Sequence, residues 1–119
     1  MIKKVFCSLL ALIGLATVVY AYNYDTNLPL PGKSIADKKL QENTLFTAYM
    51  FAHRVATPDC KDFAIIDTNV SNEKVDNKWQ EIWTIKACSR TATVPINFEI
   101  KENSETYAID PMGVKVTKE

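Results

Sequence analysis

The chain is poor in the residues that usually carry chemistry. It holds one histidine, His53, and three cysteines, none of them in a Cys-x-x-Cys pair. His53 with two cysteines would supply at most three ligands, one short of a closed tetrahedral metal centre. The absent Cys-x-x-Cys removes the usual redox motif. Only three glycines occur, at 14, 32 and 113, too scattered for a phosphate-cradling loop. Neither charge sign dominates, with 14 Lys plus Arg against 14 Asp plus Glu. That balance excludes the basic stripe of a nucleic-acid binder. No nucleophile, base and orienter stand in a recognisable set. Internal repeats and low-complexity stretches are missing as well. No cofactor is expected.

The N-terminus does carry a pattern. Lys3 and Lys4 precede an apolar run from Val5 to Val19, which closes on Val19-Tyr20-Ala21. A positive start, a hydrophobic middle and small residues at −3 and −1 make residues 1–21 a signal peptide cut after Ala21. The competing reading is an uncleaved anchor, since the run is at the short edge of the roughly 17–25 residues that span a bilayer. Cys7 follows the lysines too closely for a lipoprotein signal. Without residues 1–21 the chain has 12 Lys plus Arg against 14 Asp plus Glu, a formal charge of −2. Export predicts a periplasmic or secreted protein that meets the membrane only through the signal peptide.

Residues 22–33 read as an extended leader, broken by Pro29, Pro31 and Gly32. Residues 34–119 read as one domain. From Ile35 to Ala56 the chain lacks Pro and Gly. Ile35, Leu40, Leu45, Ala48, Tyr49, Phe51, Ala52 and Val55 recur at helical spacing. Ser34 is the expected cap, His53 and Arg54 fall in the last turn, and Pro58 stops the helix. Beyond Cys60 the period changes to two. Strands are expected over 63–71, 78–88, 91–100 and 106–109, with a fifth short one over 114–117. Pro95 cannot donate to a ladder, so it marks an edge or a bulge. The expected fold is α+β: one N-terminal amphipathic helix on a four- to five-stranded antiparallel meander.

Cys60 and Cys88 remain after export, and an even count in a small exported chain predicts a disulfide. A first-hairpin turn centred near residue 74 sets the two cysteines opposite each other. The same register pairs Phe63 with Ile85, Ile65 with Trp83, Ile66 with Ile82, Asp62 with Lys86, and Asp67 with Glu81. Glu81 lies between Trp79 and Trp83 on an otherwise apolar face. Facing carboxylates could serve acid–base chemistry. The alternative is that Glu81 finds a structural partner, with His53 or Arg54 reaching over from the helix end.

The run from Trp79 to Ser89, WQEIWTIKACS, with Val94-Pro95-Ile96-Asn97-Phe98, resembles a group of small exported proteins of Gram-negative bacteria. Their C-terminal half carries Glu-x-Trp-Thr-x-x-x-Cys-Gly followed by Val-Pro-x-x-Phe. The likeness covers about residues 60–109, and Ser89 stands where the group has Gly. It implies export, the disulfide and an α+β sheet, and it implies no activity. Three function classes follow. The first is a non-enzymatic interaction module of binding, inhibitor or immunity type with a protein partner. The second is an accessory subunit of an envelope assembly that uses residues 22–33 as a docking arm. The third is a small hydrolase built on Asp67 and Glu81.

Overall fold

A computed structural model describes residues 22–118. The expected signal peptide and Glu119 lie outside the described residues. In chain order the elements are β1 (Asn23–Tyr24), α1 (Lys38–Val55), β2 (Asp62–Val75), β3 (Lys78–Ala87), β4 (Arg90–Lys101), β5 (Ser104–Ile109), a 3₁₀ turn at Pro111–Gly113, and β6 (Lys115–Lys118). The helix packs on one face of a curled mixed sheet ordered β1-β2-β3-β4-β5, with β6 also on β4.

The sheet is not purely antiparallel, and the helix is not the first element. β1 precedes it and pairs parallel to β2, Asn23 beside Asp62 and Tyr24 beside Phe63. The helix starts three residues later than its periodicity suggests. Asp37, not Ser34, is the cap, and its Oδ1 accepts from Leu40 N at 2.8 Å. Ser34 turns the preceding backbone by accepting from Ala36 N. The buried helix face is Leu40, Gln41, Thr44, Leu45, Ala48, Tyr49 and Ala52. Ile35 is exposed, so the true face is rotated toward two polar residues. At the far end Arg90 donates from Nη1 to Val55 O, satisfying a carbonyl the last turn leaves open.

The expected leader, residues 22–33, is extended and is bound along its length as a strap between helix and sheet. Asn23 N donates to Lys61 O, Asp25 N to Phe63 O, and Lys33 N to Thr68 O. Leu30 and Ala36 enter the core. At Gly32 φ is +101°, and a Cβ there would overlap the backbone N and O of Thr68, so this crossing requires glycine.

The first hairpin turns at Asp76–Asn77, both at positive φ, which is the signature of a two-residue type I′ turn. That centre lies beyond residue 74, and irregularities between Ile65/Asp67, Val70/Asn72 and Asn72/Val75 shift the register further. Phe63 therefore faces Ala87, Ile65 faces Ile85, Ala64 faces Lys86, and Ile66 sits exposed at a bulge. The disulfide Cys60–Cys88 is present, with Cα atoms 5.8 Å apart. It does not join paired strand residues. Cys60 precedes β2, and Cys88 occupies the β3–β4 turn at φ +58°, the position where that turn class favours glycine.

Pro95 lies inside β4 opposite Ile82. Its carbonyl accepts from Asp110 N, so its missing donor points away from β3. On that outer edge β5 ends opposite Ile96 and β6 begins opposite Thr93. The proline thus falls where one edge strand gives way to the next, and no ladder bond is lost.

Candidate functional site

Along β3 the side chains of Trp79, Glu81, Trp83, Ile85 and Ala87 all point under the helix. Glu81 is the anomaly among them. It is fully buried (0% exposed) between two indoles. Trp83 donates from Nε1 to its Oε1 at 2.8 Å, and Trp79 from Nε1 to Oε2 at 2.8 Å. The amide of Ile35, between the strap and the helix, donates to Oε2 at 3.0 Å. Residues i, i+2 and i+4 of a strand share one face, which lets both indoles reach the carboxylate between them. Among the described residues no lysine, arginine or histidine is in ion-pair contact with it. Three N–H donors hold it, and a carboxylate is acceptor-only, which suits that set.

The strap and the residues that lead from it into the helix are the common partner of the buried polar groups, except Thr44, whose hydroxyl donates to Leu40 O. Gln41 accepts from Leu30 N at 2.8 Å and donates to Ala36 O at 3.0 Å. Thr68 donates to Pro31 O and accepts from Ser34 N. The Tyr49 hydroxyl donates to Asp25 O at 2.6 Å and accepts from Ile65 N at 3.1 Å. Burial pushes the Tyr49 phenol up to about 12, with the Ile65 amide opposing and Asp25 adding slightly. Among the described residues no buried side-chain nitrogen or oxygen lacks a partner. Gln41, Thr68 and the Tyr49 hydroxyl are absent from the sequence-based site. For Gln41 and Thr68 the signal was polarity at one helix and one strand position inside otherwise apolar stripes; Tyr49 fell in the apolar stripe and gave none.

The expected juxtaposition of Asp67 and Glu81 does not form. Asp67 is paired with Thr84, and Glu81 with Val70. The bulge at Ile66 moves Asp67 out of the core stripe, and its Oδ2 accepts from Asn69 Nδ2 on the exposed side. His53 and Arg54 do not reach Glu81 either. The His53 Nε2 lies 2.6 Å from the Tyr24 hydroxyl, and its ring centre lies 4.1 Å from that of Phe63, tilted to it, and 4.6 Å from that of Tyr22, edge to face. Burial lowers the His53 pKa, and it raises that of Tyr24, with Tyr22 adding to the latter. Arg54 lies over the Phe51 ring at 4.8 Å. The six residues singled out from the sequence thus divide into a buried Trp-Glu-Trp clamp, an aromatic histidine cluster, a helix-surface arginine and a rim aspartate.

Among the described residues no helix covers the opposite face of the sheet. There two continuous rows cross four strands: Asn72, Gln80, Asn97, Ala108, and Val75, Lys78, Glu99, Thr106. They line an open groove of about 460 Å³. Ser71 Oγ donates to Gln80 Oε1 and Gln80 Nε2 to Asn97 Oδ1, so the amides are pre-oriented. Lys78 and Lys101 flank Glu99 at 3.8 and 3.9 Å. The groove offers amide donors and acceptors, both charge signs and the exposed Val75 side chain. Among the described residues no helix is long and apolar enough to cross a membrane.

No protein-family model matches the chain, and neither the curated proteins nor the solved structures contain a match.

Proposed function

We propose that the chain is an exported, non-enzymatic interaction module, of binding, inhibitor or immunity type, that presents its uncovered sheet face to a protein partner in the periplasm or outside the cell. The groove between the Asn72 and Val75 rows is the observation that carries this reading. Its side chains are ordered by each other and exposed, which lowers the entropy cost of a polar contact. The disulfide fits an oxidising compartment, and the likeness of residues 60–109 to small exported proteins supports export. Glu81, sealed by three donors, is a scaffold group in this reading and touches no substrate.

The test is cross-linked co-purification from the native envelope, repeated with Gln80→Arg plus Asn97→Arg. Both side chains point away from the core, so the fold should persist by circular dichroism. A stoichiometric partner lost in the double variant is the expected result. A partner that persists, or none at all, overturns the reading.

A further inference from the structure

A second exposed surface lies at the other end of the molecule, where the strap begins. Tyr22 (40% exposed), Phe46 (53%) and Met50 (60%) are its outermost groups. Ring contacts make it continuous: Tyr22 meets His53 at 4.6 Å and Tyr24 at 6.3 Å, and Tyr24 meets Phe46 at 5.9 Å. Met50 follows Phe46 by one helical turn and precedes His53 by another. Lys61 stands 6.0 Å from the Tyr22 ring centre. Apolar and aromatic side chains this exposed mark a contact surface.

The chain itself says what lies against this surface. The apolar run Val5–Val19 ends three residue steps before Tyr22. Three extended steps reach about 11 Å at most. A headgroup layer is roughly 5–8 Å thick on each side of the hydrocarbon. While the apolar run is held in a bilayer, Tyr22 cannot rise far above the headgroups, and the surface that starts at Tyr22 must meet them. Its composition suits that depth: phenols with an apolar body and a polar tip, an aliphatic thioether, and long cations at the margin.

We propose that the Tyr22–Phe46–Met50 face rests in the headgroup region of a phospholipid bilayer for as long as residues 1–21 remain attached. The inference rests on the export reading of that segment. Lys61 and Arg54 are balanced by Asp59 and Asp62, so the margin is close to neutral. Contact therefore depends on apolar insertion and on the tether, which keeps the local lipid concentration high, and not on anionic lipid. Once the segment is cut the contact is weak, and the domain leaves the membrane.

The methionines supply native probes, since Met50 lies in the face while Met112 lies at the opposite edge of the sheet. The full-length chain, ¹³C-labelled at methionine methyls, is placed in phosphatidylcholine nanodiscs carrying a nitroxide headgroup lipid. Met112→Leu and Met50→Leu assign their two signals and set that of Met1 apart. The expected result is a Met50 methyl weakened by roughly twofold or more, with Met112 unchanged, and partial recovery of Met50 in Phe46→Glu. Equal weakening of both, or of neither, overturns the proposal while leaving export intact. Failure of the chain to float with the nanodiscs overturns both. Concentration-dependent shifts of Met50 without lipid identify the face as a self-association surface and also overturn it.

Discussion

Glu81 decides whether the core is held by a polar clamp or only by packing, and replacing it tests this directly. In Glu81→Gln the single amide oxygen serves best at the Oε2 position, where it keeps both Trp79 Nε1–H and Ile35 N–H. The amide nitrogen then faces the Trp83 indole N–H, donor against donor. One buried orphan donor costs about 1–3 kcal/mol, and two bonds lose their charge assistance. The lower desolvation cost of a neutral amide offsets part of this, leaving a net loss of about 2–3 kcal/mol. Glu81→Leu keeps the volume but orphans all three donors, so it costs more, about 4–6 kcal/mol. Urea unfolding of the oxidised protein measures both. Trp79 and Trp83 are the only tryptophans, so the emission maximum reports on the clamp itself. A Glu81→Gln variant within about 0.5 kcal/mol of wild type refutes the reasoning, as does a leucine variant at least as stable as the parent.

Gly32→Ala should destabilise by at least about 2 kcal/mol, because it forces a side chain into positive φ against the Thr68 backbone; urea midpoints check this. Burial lowers the His53 pKa, so the folded state disfavours the proton relative to the unfolded chain. The stability this contributes is present above the ordinary value of 6.5 and is lost as pH falls through the lower folded-state value. In His53→Gln the loss of Tm between pH 7.5 and pH 5 should shrink; an unchanged loss contradicts the assignment. Reduction of Cys60–Cys88, which closes a 28-residue separation, should cost about 3.5 kcal/mol in unfolding free energy. Tyr49→Phe removes a hydroxyl bonded to Asp25 O and Ile65 N, and should cost about 1–3 kcal/mol with faster amide exchange at Asn23 and Asp25. Uniform exchange across the chain would show that the hydroxyl does not pin the strap.

The element types were legible because their signals are local. Helical spacing over Leu40–Ala52 and alternation in β3 and β4 survive in the structure. The disulfide was legible from the cysteine count and the expectation of export, but the geometry used to support it was not the real one. Register failed because a bulge leaves no mark when the displaced residue, Ile66, is as apolar as its neighbours. A two-residue turn at Asp76–Asn77 was hidden at the end of a six-residue polar stretch. The parallel β1 pairing was illegible for a different reason. It is two residues long and joins segments 39 positions apart, so no periodicity announces it.

The strap explains most of what sequence patterns misjudged. The segment that runs from Tyr22 into the helix, broken at Pro29 and Pro31, cannot join a ladder along its length, so its backbone donors and acceptors need side-chain partners. Gln41, Thr68, Glu81 and the Tyr49 hydroxyl are those partners. Each stands on a face that is otherwise apolar, and each looks like a candidate for chemistry when read alone. Polar residues within a core stripe can therefore mark where an irregular segment crosses, and the number of such residues follows the backbone groups that segment brings inside. On that physical account Glu81 is required by Ile35 N–H and two indoles, which leaves the groove and the Tyr22 face as the surfaces proposed to meet other molecules.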